Sequence, residues 1–121
     1  GLSYTDFVYG ELQISSETLP KNGELTVSVT VTNKGNYDGY ETVQLYLHDI
    51  YAEISSPVKE LKGFERVFLK SGESRDVKFV ITEDDLKFYN SELHYVYEPG
   101  EFDVMVGPNS RDVQTKSFQA K

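Results

Sequence analysis

Cysteine and tryptophan are absent from this sequence, methionine occurs once, and no apolar run approaches the length of a membrane span. The lack of cysteine removes disulfides, thiol nucleophiles and thiolate metal sites together, although it does not fix the compartment. Positive charge is scarce: Lys+Arg 12 stand against Asp+Glu 20, a net charge of -8. That balance opposes non-specific nucleic-acid binding and docking on anionic lipid, so neither a nucleic acid nor a membrane is an expected partner. The acidic excess itself reads as a solubility device. The first residues carry no secretory-leader pattern. A start at Gly1-Leu2-Ser3 without an initiator Met is expected of a piece excised from a longer chain.

What is present is alternation. Leu25, Val27, Val29 and Val31 alternate with polar residues from Glu24 to Thr32, and Val43, Leu45 and Leu47 alternate with Thr42, Gln44, Tyr46 and His48. A two-residue period puts each apolar set on one face of a strand. The β-branched residues suit a pleated, half-buried surface. Between the runs lies Asn33-Lys34-Gly35-Asn36-Tyr37-Asp38-Gly39, rich in turn formers. The pattern predicts either two paired antiparallel strands or two strands facing each other across a sandwich.

The remaining segments extend that reading. Phe7, Tyr9, Leu12 and Ile14 are the inward candidates of an irregular first strand, broken at Gly10 by a bulge or sheet switch. Asp49 to Val58 has no period, and at roughly ten residues it exceeds the usual connection, which marks a loop with a task. Leu61 and Phe64 fall out of register across Gly63, which predicts a second bulge. Val77, Phe79 and Ile81 alternate inward. Thr82-Glu83-Asp84-Asp85-Leu86 reads as a capped helical turn with Thr82 accepting backbone N–H groups. Phe88-Tyr89 and Tyr95-Val96-Tyr97 flank a hairpin tip, Phe102, Val104 and Val106 form another inward row, and a last strand lies near Val113 to Phe118. About seven or eight short strands, with turn signals every 8–12 residues, predict an all-β antiparallel sandwich in one domain.

Site chemistry is sparse. His48 and His94 lie far apart in sequence and fall in no ligand-spaced cluster, whereas zinc needs three or four convergent ligands. Glu83-Asp84-Asp85 lacks the spacing of a calcium loop and reads as helix-start acids. No acid pair stands out as the two carboxylates that glycosidase chemistry sets about 5–10 Å apart. Ser55 and Ser56 have no nucleophile-elbow setting. Tyr37, Tyr40, Tyr46, Tyr51, Tyr89, Tyr95 and Tyr97 fall at loops or outward strand positions, where they suit either sugar stacking or a covered interface.

At Pro57-Val58-Lys59-Glu60-Leu61-Lys62-Gly63-Phe64 the chain resembles a known family. It is similar to the fibronectin type III-like domain at the C-terminal end of glycoside hydrolase family 3 enzymes, chiefly β-glucosidases and β-xylosidases. Gly1-Leu2-Ser3-Tyr4-Thr5 with Phe7, Val29 to Gly35, Val43 to Asp49, Arg66-Val67-Phe68-Leu69, Gly72-Glu73-Ser74, Leu86-Phe88-Tyr89, Glu98 to Phe102 and Val106-Gly107 agree in order. Two positions depart from the family pattern: Ile50 stands where Pro is frequent, and Ser56 where Arg is common.

The resemblance implies an immunoglobulin- or fibronectin type III-like sandwich over 7–121, with 1–6 leading in from an upstream catalytic domain. It implies a parent with a retaining mechanism, whose Asp nucleophile and acid/base Glu both lie upstream of Gly1. No residue here inherits a catalytic role, and no cofactor or metal is implied. The expected partners are the parent's own catalytic domains, with a weak oligosaccharide contact beside them. Asp49, Tyr51, Ser55, Ser56, Pro57 and Lys59 are the candidate interdomain or substrate-entrance contacts, and Tyr4 and Phe7 are candidates for an apolar interdomain face. A periplasmic or secreted parent is favoured over a cytoplasmic one. Two other readings remain open: a carbohydrate-binding module using Tyr37, Tyr40, Tyr46 or Tyr51, and a cell-surface adhesion domain.

Overall fold

The computed structural model describes residues 6–50, 59–89 and 92–121. Among them, eleven strands form: β1 (Phe7–Tyr9), β2 (Gln13–Ile14), β3 (Thr18–Leu19), β4 (Leu25–Asn33), β5 (Gly39–Asp49), β6 (Glu60–Leu69), β7 (Ser74–Ile81), β8 (Phe88–Tyr89), β9 (Tyr95–Val96), β10 (Gly100–Gly107) and β11 (Gln114–Ala120). A single 3-10 turn, Glu83–Leu86, follows β7. One sheet has β4 at its centre, with β7 along one side and β1 and β2 in succession along the other. The second runs β3-β11-β10-β5-β6. β8 and β9 pair as a separate short hairpin.

The two alternating runs fall in different sheets, so they face each other rather than pair. Leu25, Val27, Val29 and Val31 of β4 are buried against Val43, Leu45 and Leu47 of β5 in one core cluster. Val77 and Ile81 of β7, Val67 and Leu69 of β6, and Phe102, Val104, Val106 and Phe118 belong to the same cluster, as do Leu12, Leu19, Leu86 and Ala120. The Phe102 and Phe118 rings stack with centroids 5.8 Å apart. Burying both inner faces is the main stabilisation of a fold with no covalent staple.

The strands outnumber the turn signals because the chain's start is divided. β1 and β2 both stay on β4, and the sheet switch comes after them, where β3 joins β11 in parallel. At Gly10 the ladder is interrupted. The Gln114 side chain, reaching from the opposite sheet, replaces the missing backbone partners: its Nε2 donates to the Gly10 carbonyl at 2.6 Å and its Oε1 accepts from the Leu12 amide at 2.9 Å. Leu12 can then enter the core with its amide satisfied.

The second expected bulge is also present, with pairing shifting between Leu45–Gly63 and Tyr46–Leu61. Thr82 and Asp85 form a capping box, so the turn is capped at Thr82 as the sequence leads one to expect, with Asp85 adding the return bond. The Asp85 carboxylate accepts from the Thr82 amide at 2.9 Å. Asn33, the one buried polar side chain among the described residues, ties three segments together. Its Nδ2 donates to the carbonyls of Tyr37 and Leu69 at 2.8 and 3.0 Å, and its Oδ1 accepts from the Gly35 amide at 2.9 Å.

Candidate functional site

The segment 49–59 joins β5 to β6 at one end of the larger sheet. β5 pairs with β10 as far as Asp49 opposite Phe102, and the Ile50 amide reaches the Glu101 carbonyl at 3.2 Å. β6 starts with Glu60 opposite Leu47. Asp49 and Lys59 are both half-buried and sit at these adjoining strand ends. Tyr51, Ser55, Ser56 and Pro57 lie outside the described residues, as does Tyr4.

The acids of the helical turn are engaged in holding the structure. Glu83 accepts from the Asn22 amide at 2.8 Å, and Asp84 pairs with Lys87 at 3.0 Å, which raises the Lys87 pKa mainly through that hydrogen bond. His48 is half-buried opposite Asp103, whereas His94 is exposed on the far hairpin with Glu92 at 3.7 Å. Among the described residues, no three His, Asp or Glu side chains gather as metal ligands.

The aromatic side chains divide into four settings. Phe7, a candidate for the interdomain face, instead packs half-buried against the core, because its strand position turns it inward. Tyr97 leans on the core and donates its hydroxyl to the Lys121 carbonyl at 2.8 Å; partial burial, then the nearby Glu83 charge, raises its pKa. Tyr89 and Tyr95 are exposed on the hairpin with ring centroids 4.9 Å apart. Tyr37 is exposed in the turn after β4.

Tyr40 belongs to a different surface, the outer face of β5 and β6. The register sets Tyr40 opposite Phe68, Thr42 opposite Arg66, Gln44 opposite Phe64 and Tyr46 opposite Leu61. Tyr40 and Phe68 meet edge-on at 5.0 Å, and the Arg66 guanidinium lies 4.1 Å from the centre of the Tyr40 ring. A sugar stacking on that side of Tyr40 would have to displace Arg66. The Tyr46 hydroxyl is tied to the Gln44 amide oxygen on the same face. The sequence reading took Leu61 and Phe64 as marks of a bulge and missed this surface. The spacing Phe64-x-Arg66-x-Phe68, opposite in phase to buried Val67 and Leu69, is the signal that identifies it.

With this geometry, the comparisons with known proteins are decisive. The family model for the fibronectin type III-like domain matches residues 41–110. The chain belongs to that family. Over 119 residues it is 45% identical to the periplasmic β-glucosidase of Salmonella typhimurium, covering 98% of this chain and 16% of the relative. Over 121 residues it is 44% identical to a putative β-xylosidase of Formosa agariphila, covering 100% of this chain and 16% of that protein. The crystal structure of the Listeria innocua β-glucosidase superposes with a TM-score of 0.86 at 43% identity, over 99% of this chain and 16% of that one. This fibronectin type III-like domain therefore matches the C-terminal portion of family 3 β-glucosidases and β-xylosidases and spans about a sixth of their length.

Proposed function

We propose that the chain is the non-catalytic accessory domain of a family 3 glycoside hydrolase of β-glucosidase type, packed on the catalytic domains and bracing them. The observation that carries this is its coverage: nearly the whole chain aligns, yet it accounts for only 16% of a β-glucosidase and of a putative β-xylosidase. In this reading 1–6 leads in from the catalytic part and 7–121 is the domain. The parent cleaves terminal β-glycosidic bonds with groups that this chain does not supply. The loop 49–59, entered from Asp49 and left through Lys59, lies at the contact with the catalytic domains. The acids Glu83, Asp84 and Asp85 support the reading, since each already serves the local turn through Asn22, Lys87 or Thr82.

The test is an assay of the isolated 121-residue chain on aryl β-glucosides and aryl β-xylosides. No turnover is expected. Hydrolysis above the no-protein rate, abolished by substituting an acid of this chain, would refute the accessory role.

A further inference from the structure

The two outer faces of the sandwich are unequal. On the smaller sheet, β4 and β7 present Thr26, Ser28, Thr30, Thr32, Ser74, Asp76 and Lys78. These are knitted by Thr30 to Asp76 and Thr32 to Ser74 side-chain hydrogen bonds, both 2.7 Å. This is an ordinary solvated face, with Val8 and Val80 as separate apolar exceptions. On the larger sheet, the margin formed by β5 and β6 presents Phe64, Phe68, Tyr40 and Leu61, which are 67%, 39%, 59% and 52% exposed. They form one patch because the register makes Tyr40–Phe68 and Tyr46–Leu61 cross-strand neighbours, with Phe64 between them on the same face. Single exposed apolar residues need no explanation, but a contiguous aromatic stripe on an edge strand does.

We propose that the outer face of β5 and β6 is the surface on which the rest of the parent polypeptide packs. Phe64 and Phe68 are its apolar anchors, and Arg66 between them meets a carboxylate of the catalytic part. The proposal rests on the accessory-domain reading and deepens it by choosing the face. Aromatic residues and Arg are the types enriched where interfaces bury their centre. Arg66 is a cation at the middle of the patch in a chain of net charge -8, so the complementary surface is apolar with an acidic group opposite it. The charge disfavours a second copy, which would bring the same negative excess and the same Arg66. The matched relatives extend far beyond this domain, as its 16% share of their length shows.

The absence of cysteine from the 121 residues gives a clean probe. In the full-length parent, cysteine is placed singly at Phe64, Phe68 and Val80, and labelling by an uncharged maleimide is followed by peptide mass spectrometry. Phe64→Cys and Phe68→Cys are expected to label at least about tenfold more slowly than Val80→Cys, at every protein concentration. Equal rates overturn the proposal. Protection that disappears on dilution also overturns it, by making a second copy the occupant. Charge reversal supplies an independent check where a cysteine variant disturbs packing. Arg66→Glu should shorten the parent's activity half-life on heating several-fold while Lys78→Glu leaves it unchanged, and equal effects contradict the proposal. Fast labelling at Phe64, with the isolated chain inactive on aryl glycosides, defeats the choice of face alone. Turnover by the isolated chain defeats the accessory reading itself.

Discussion

Tyr9 on β1 donates its hydroxyl proton to the Glu41 carboxylate on β5 across 2.7 Å, joining the two sheets at the rim of the sandwich. Burial, and then the hydrogen bond and charge of Glu41, push the Tyr9 pKa far above its ordinary value. The folded protein therefore keeps this proton at pH values where the unfolded chain has lost it. Its contribution is complete below the unfolded tyrosine pKa of about 10 and declines as pH rises above it. Tyr9→Phe is expected to flatten the fall in stability on the alkaline side of pH 10, measured by urea unfolding at stepped pH. At neutral pH the same variant should cost about 1–2 kcal/mol, because a half-buried carboxylate loses its donor. An unchanged alkaline slope would contradict the linkage.

Asn33 is the polar pivot of the turn region. Removing its side chain orphans the carbonyls of Tyr37 and Leu69 and the amide of Gly35. Asn33→Ala is expected to lower stability by about 2–4 kcal/mol by urea unfolding. Asn33→Asp should do no better, since it turns an oxygen toward two carbonyl oxygens in place of a donor. A loss within the scatter of surface substitutions would show that water replaces these bonds without penalty.

Two glycines should respond differently. A Cβ on Gly107 would overlap the Asp112 carbonyl oxygen and come within 3.0 Å of the Val113 Cα, both backbone atoms of the returning chain. Gly72 has open space around it but a φ of +83° in the turn between β6 and β7. Gly107→Ala is expected to cost about 1–3 kcal/mol by forcing the β10–β11 hairpin apart, and its amide protection should fall there. Gly72→Ala should cost about 1 kcal/mol, largely recovered in Gly72→Asn, which tolerates the left-handed region better. Thermal unfolding of the three variants separates close approach from backbone conformation.

How much was legible in the sequence follows from how locally each element is determined. The rows of β4 and β5 were readable because one face of each is buried along its length, and those of β7 and β10 because Val77, Phe79 and Ile81, and Phe102, Val104 and Val106, keep the two-residue spacing of apolar side chains. The start of the chain was not. β1, β2 and β3 are two or three residues long, and Leu12 is placed by Gln114, a partner no local pattern reveals. β6 was half-legible. Its bulge shifts the phase between Leu61 and Gly63, and at the sheet's edge the inward position next to Val67 is the exposed Glu65, which obscures the alternation. For the same reason the aromatic outer face went unread, while Phe7, readable both as an inward residue of the first strand and as an interdomain contact, lies against the core. Of the loop candidates, Asp49 is the last residue of β5 and Lys59 directly precedes β6, a shift of one residue at each end from the pattern in the sequence.

The most direct measurement is the heat inactivation of the parent hydrolase with and without this domain. Aryl β-glucosidase activity is followed over time at rising temperature for the intact protein and for a version lacking 7–121. If the domain braces catalytic domains whose reacting groups lie elsewhere, the shortened version loses activity at a temperature several degrees lower. Coincident inactivation curves for the two proteins would contradict the account.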